Sequence, residues 1–294
     1  MKKYLGIVVA AVMAISMVGC GNLDNGNTAE GFDSSYEITV VSREDGSGTR
    51  GAFVELVGVE QKNENGEKVD YTTEDAIIVN STSSVMTTVS GDEYAIGYIS
   101  LGSLDDTVKA LKVEGVEATE ANIKSGDYVV ARPFNIATKA EVSEVTQDFI
   151  SFILSAEGQA IVSENKYISL DGVEAFAGTN PSGKIVIAGS SSVSPLMEKL
   201  MEAYLAVNTN AEIELQTNDS TTGMNWAMEG TCDIGMASRE LKDSELEGGL
   251  VGTVIATDGI AVIVNQANIV DDITTEQIKN IYVGEVFTWD EIAE

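Results

Sequence analysis

Three times in this chain an apolar strand pattern runs straight into a loop of Ser, Thr and Gly, and the loop opens a helix. That succession constrains the fold more than any other feature, because strands alternating with helices assemble into an α/β architecture. The first loop is Arg43-Glu44-Asp45-Gly46-Ser47-Gly48-Thr49, after a strand pattern at 36–42 and before a helix at 51–57. The second is Gly189-Ser190-Ser191-Ser192, between a strand at 184–188 and a helix at 194–207. Leu196, Met197, Leu200, Met201, Tyr204 and Leu205 form one stripe on that helix, which reads as core packing. The third is Asp219-Ser220-Thr221-Thr222-Gly223, between a strand at 213–216 and a short helix ending at Glu229. Further strands are expected at 76–79, 95–99, 233–237 and 259–264. Further helices are expected at 142–162 and 273–282, the latter opened by Thr274 or Thr275.

A loop of this kind suits an anion. A helix N-terminus offers free N–H groups and a partial positive charge. Hydroxyls add donors, and glycine lets the backbone approach. Singly, each Ser/Thr loop is an ordinary helix cap. The Arg43 loop says more, since it sets a cation four residues before a Ser-Gly-Thr nest, as a grip on a tetrahedral oxyanion requires. It lacks the Gly-Lys-Ser/Thr ending of a nucleotide-binding loop.

Composition narrows the field. The chain has no histidine, so the usual general base and the commonest zinc ligand are missing. No metal and no cofactor are expected. Asp plus Glu number 47 against 17 Lys plus Arg, a net charge of −30 that argues against nucleic acid and acidic lipid as partners. An anion site survives in such a chain because charges more than about 10 Å away are screened at physiological salt, leaving binding to local donors.

The first twenty residues read as an address. Lys2 and Lys3 precede a short apolar run, Leu5 to Val18, and then Gly19-Cys20. The segment 17–20 resembles a bacterial lipobox, with Met17 where Leu is usual, which makes Cys20 the site of lipidation. Residues 21–35, rich in Asn, Gly, Asp and Ser, are expected as a flexible linker from the membrane. With Cys20 acylated, Cys232 has no disulfide partner and is expected as a small buried residue.

The run from Ser42 through Arg43-Glu44-Asp45-Gly46-Ser47-Gly48-Thr49 to Phe53 closely resembles the signature of phosphate-binding proteins of ABC phosphate importers. So do 188–195 (Ala-Gly-Ser-Ser-Ser-Val-Ser-Pro), 230–240 (through Ser238-Arg239-Glu240) and 281–289, which is similar to the family's Gly-Glu-Ile-x-x-Trp segment. The likeness covers nearly everything from Tyr36 to Glu294. The order differs from the family pattern: there the Ser-Ser-Ser segment comes first and the Arg43-type segment follows the Trp segment. The chain thus resembles a circular permutant, or a piece of a tandem truncated at Glu294.

The resemblance implies a two-lobed, periplasmic-binding-protein-like α/β fold with the ligand in the cleft. Mapped here, residues 132–264 form one lobe, and 36–131 with 265–294 form the other, bringing Tyr36 and Glu294 close together. It implies Arg43 as the cationic clamp, steadied by Asp45. Ser47, Gly48 and Thr49 donate from one lobe and Ser191 and Ser192 from the other. Ser220, Thr221 and Thr222 form a third wall, and Ser238 is a further binding serine. Many members place an Asp directly after that serine, to accept the proton of phosphate; Arg239 stands there instead. The acceptor role then passes to Asp45, Asp219 or Glu240, or selectivity differs. The implied protein is no enzyme. It is a monomeric lipoprotein on the extracytoplasmic face, with inorganic phosphate and an ABC permease as partners and hinge closure as its signal. The alternatives are a receptor for another oxyanion such as sulfate or molybdate, a phosphatase-like enzyme with no nameable base, and a structural lipoprotein without a ligand.

Overall fold

The computed structural model describes residues 31–292. The signal segment 1–20, Cys20 and most of the linker 21–35 lie outside these residues, as does Glu294.

β1 (Thr39–Arg43) leads into α1 (Gly48–Leu56), a small hairpin of β2 (Glu60–Lys62) and β3 (Lys68–Asp70), then β4 (Ile77–Val79), α2 (Thr82–Gly91) and β5 (Ala95–Ser100). The short β6 (Lys109–Ala110), β7 (Lys112–Val113) and α3 (Glu120–Ser125) precede the long β8 (Ala131–Lys139). There follow α4 (Glu144–Ile153), α5 (Ala156–Glu164), β9 (Gly183–Ser190), α6 (Ser194–Val207), β10 (Ala211–Asn218), α7 (Ser220–Glu229), β11 (Ile234–Ala237) and α8 (Asp243–Glu247). β12 (Leu250–Val264), β13 (Asp272–Ile273) and α9 (Thr275–Tyr282) follow these.

One curled sheet runs through the molecule in the order β10-β9-β11-β8-β12-β5-β1-β4. Its two ends are parallel, β9 with β10 and β11 on one side and β1 with β4 and β5 on the other. Its middle is antiparallel. β12 pairs with β8 from Leu250 to Gly259, then changes partner and pairs with β5 from Ile260 to Val264. One strand is therefore shared by two halves, each with its own core.

One core gathers Val41, Phe53, Tyr98, Ile99, Val130, Ile260 to Val264, Ile281 and Trp289. The other gathers Phe134, Phe149, Ile185, Leu196, Leu200, Tyr204, Met236 and Ile255. Residues 260–264, mapped with 132–264 from the sequence, pack in the first core, because β12 leaves β8 for β5 at that point. At the changeover Arg132 and Asp258 face each other in register as a buried pair, Nη2 to Oδ2 at 3.1 Å, and Ser100 Oγ donates to Asp258 Oδ1 at 2.9 Å. Burial pushes the Asp258 carboxyl up to about 6 and lowers Arg132, against their mutual attraction. This is the usual balance for a buried ion pair.

The chain segments near both ends of the described region meet. Ile38 N donates to Phe287 O at 2.7 Å and Asp290 N to Ser34 O at 2.8 Å. Phe32 packs 5.2 Å from Tyr94 and 6.2 Å from Trp289, so the last part of the expected linker is folded onto the first half. The single helix expected over 142–162 is two helices. Ser155 caps the second, its Oγ accepting from Gly158 N at 3.2 Å and donating to Phe152 O at 2.7 Å. A Cβ at Gly158 would lie 2.2 Å from Phe152 O, so the break between the helices needs glycine there. Cys232 is buried in a third, smaller cluster with Met224 and Ala227, and burial pushes its thiol up to about 11. Among the described residues no helix is long and apolar enough to cross a membrane.

Candidate functional site

β1 delivers Arg43 to the seam between the halves, where its side chain is 2% exposed. A buried guanidinium needs its donors matched. Glu44 supplies the match: Arg43 Nε donates to Oε2 at 2.8 Å and Nη2 to Oε1 at 2.7 Å. Nη2 also donates across the seam to Ser191 Oγ at 3.1 Å. Asp45 does not hold Arg43, contrary to the sequence reading. Its side chain is 99% exposed and accepts from Arg50 Nη1 at 2.9 Å. Arg50 rises from the first turn of α1, donates to the Arg43 carbonyl at 2.8 Å and draws Asp45 outward.

The loop then opens α1. Ser47 is its N-cap, with Oγ accepting from Arg50 N at 3.3 Å. Gly48 lies against the opposite half so closely that a Cβ would come 2.4 Å from Ser220 Oγ and 3.0 Å from Ser238 Oγ. Thr49 Oγ1 lies 2.7 Å from Ser192 Oγ and 3.4 Å from Ser238 Oγ.

On the other side, β9 ends at Ser190, whose Oγ donates to Ser238 Oγ at 2.9 Å. β11 leads to Ser238, whose N–H donates to Ser220 Oγ at 3.1 Å. Asp219 caps α7, accepting from Thr222 N at 2.8 Å and from the Thr222 hydroxyl at 2.6 Å. Of the expected third wall, Ser220 therefore joins the hydroxyl cluster, while Thr222 is turned to Asp219. Thr221 crosses the seam, its N–H and its hydroxyl both donating to Gly46 O at 3.2 Å. The carboxylates considered as proton acceptors make no hydrogen bond to the hydroxyl cluster: Asp45 is on Arg50, Asp219 is on Thr222, and Glu240 is exposed.

Sequence reasoning missed Thr82. It opens α2, with Oγ1 3.2 Å from Ser192 Oγ and its N–H donating to Ser191 Oγ at 3.4 Å. The signal was present: Asn80-Ser81-Thr82 follows the strand at 77–79 in the same strand, hydroxyl loop, helix form. Tyr98 was missed too. Its OH lies 2.8 Å from Ser42 Oγ and accepts from Arg43 N at 3.2 Å, and burial pushes its phenol up to about 12.

The N-termini of α1, α2 and α7 thus meet at one buried polar cluster with Ser190 to Ser192, Ser238 and the Arg43 guanidinium. The cluster lies at the carboxyl ends of β1, β4, β9 and β11, where α/β sheets gather ligands. Hydroxyls, amides and the positive charge of the Arg43 guanidinium suit a small oxyanion. Among the described residues no group of three or more Cys, Asp or Glu is placed to hold a metal ion.

Two α/β halves joined through paired strands, with a polar cleft at their seam, define a two-lobed solute-binding protein. A family model, the PBP superfamily domain, matches residues 24–157 and 174–294. The chain is 51% identical over 299 residues, covering 100% of both chains, to a phosphate-binding protein PstS 2 of Streptococcus agalactiae. It is 42% identical to the PstS 2 of Streptococcus pneumoniae over 99% of each chain. A crystal structure of a phosphate-binding protein of a phosphate ABC transporter from S. pneumoniae superposes with a TM-score of 0.69 at 44% identity, covering 87% of this chain and 99% of that one. The chain belongs to the PBP superfamily and, within it, to the phosphate-binding proteins of ABC phosphate transporters. These streptococcal relatives align nearly end to end, so they share the unusual order of segments.

Proposed function

We propose that this chain is the extracytoplasmic receptor of an ABC phosphate importer, closing its two lobes over inorganic phosphate and presenting it to the permease. The observation that carries the reading is the convergence of Arg43, Thr49, Ser191, Ser192, Ser220 and Ser238 from separate stretches of chain into one buried cluster of donors. Its relatives' names point the same way. The ligand is bound and released unchanged: Glu44 is engaged by Arg43, Asp219 is engaged by Thr222 outside the cluster, and the hydroxyls of Thr49, Ser191, Ser192, Ser220 and Ser238 bond to one another or to Arg43 and not to a carboxylate. The protein works as a monomer, held at the membrane through lipid on Cys20.

Calorimetric titration with phosphate, sulfate and molybdate tests this. Phosphate is expected to bind at a ratio near one and the other two to compete poorly. Heat with sulfate or molybdate but none with phosphate would overturn the assignment. Thr82→Val removes one hydroxyl from the cluster and is expected to weaken phosphate binding by about 1–2 kcal/mol, roughly five- to thirtyfold in Kd, with the melting temperature little changed. An unchanged Kd would remove Thr82 from the site.

A further inference from the structure

Arg239 occupies the position directly after the binding serine and makes no hydrogen bond to the hydroxyl cluster. Its guanidinium forks onto Glu245, Nη1 to Oε2 at 2.9 Å and Nη2 to Oε1 at 2.7 Å, with the side chains 11% and 4% exposed. Nη1 also donates to the Glu240 carbonyl at 2.9 Å, and Nη2 lies 3.4 Å from Thr221 Oγ1. The backbone is pinned as well, by Asn135 Nδ2 donating to Arg239 O at 3.0 Å. Glu245 is fixed in turn by the Lys242 amide at 2.8 Å. Burial alone would raise its carboxyl, but the Arg239 fork and that amide hold it below the usual range, so it stays ionised.

This rigid group meets the other lobe at two points. Thr221 donates twice to the Gly46 carbonyl at 3.2 Å, in the middle of the anion loop. The apolar stem of Arg239 lies against α1, where a Cβ on Gly48 would come 3.0 Å from Arg239 Cγ. Arg239, Thr221, Gly46 and Ser47 together line a groove of about 440 Å³ at the seam.

We infer that Arg239, held by Glu245, is an inter-lobe clasp: it positions Thr221 on the Gly46 carbonyl and so holds the lobes shut over the bound anion. An acidic side chain at this place would act on the ligand; the arginine acts on closure. Its effect is on how fast the ligand leaves, not on which groups touch it. The inference rests on the oxyanion-receptor reading, and its test has one arm that does not need the ligand.

The first arm is amide exchange of the Thr221 N–H in the unliganded protein. Arg239→Met keeps the stem and loses the fork, and is expected to speed that exchange at least tenfold while the core amides of β9 keep their rates. The second arm is stopped-flow release of inorganic phosphate. The dissociation rate is expected to rise tenfold or more with the association rate changed less than threefold. Thr221→Ala, which removes the hydroxyl and the γ-methyl but keeps the backbone N–H, is expected to speed release about threefold. The double variant should release no faster than Arg239→Met, because both act through one contact. If Arg239→Met fails to fold, Thr221→Ala and Glu245→Gln carry the same two readouts. A Thr221 amide exchanging at the wild-type rate in these variants, or release rates that simply multiply in the double variant, would overturn the clasp. A wild-type chain that binds no phosphate sinks the receptor reading instead, and the exchange arm still decides the clasp.

Discussion

Arg43→Ala should weaken phosphate binding by about 2–4 kcal/mol, roughly 30- to 1,000-fold in Kd, when measured by calorimetry at fixed ionic strength. The size follows from burial. Arg43 is 2% exposed and is the cation that reaches across the seam, through Nη2 to Ser191. A charged donor in such surroundings is worth more than a surface one, because water does not compete for it. Part of the loss comes from Glu44, which loses both bonds of its fork and adds an uncompensated negative charge beside the anion. Arg43→Lys restores the charge but not the fork, and should recover only part of the affinity. If Arg43→Ala bound phosphate as wild type does, Arg43 would be a structural ion pair and no clamp.

Gly189→Ala is the substitution with the largest expected effect on folding, a loss of about 3 kcal/mol or more. Gly189 has φ +135°, a conformation L side chains rarely adopt, and a Cβ there would sit 2.4 Å from Met236 O and 2.9 Å from Met236 N. Those atoms are backbone of the neighbouring strand β11, so relief requires parting β9 from β11. Because Ser190 to Ser192 follow at once, the same movement would drag the floor of the anion site. A fall in melting temperature of about 6–12 °C is the expected result for a chain of this size. A change within one degree would mean that the strand ends are not packed as described.

Arg43, Thr49, Ser191, Ser192 and Ser220 could be picked out before any coordinates, because hydroxyl loops at strand–helix junctions announce themselves locally, whereas Ser238 was named from the family resemblance alone. Thr82 went unread although its loop has the same form, since nothing local says that Asn80-Ser81-Thr82 faces the same space. Asp45 was misplaced for the reverse reason: it is close to Arg43 in sequence, yet Arg50, in the first turn of α1, competes for it and wins. Spacing cannot rank two arginines for one carboxylate. The break between α4 and α5 was hidden because apolar periodicity continues through Ser155, and only the extended backbone that Ser155 takes in the folded chain makes it a cap.

The alternation of strands and helices, and with it the α/β class, was decided by the sequence alone, since periodicity and capping are properties of neighbours along the chain. The chemical character of the ligand was decided there too, by which residue types sit at helix starts. The seam was decided by tertiary structure. β12 changes partner at Gly259 to Ile260, which assigns each residue to a lobe, and the strain-free approach of Gly46 and Gly48 to α7 and Arg239 exists only once both lobes are built. The physical reason is that hydrogen-bond partners across the seam lie more than a hundred residues apart, as Arg43 and Ser191 do, so no local rule can choose among the donors on offer.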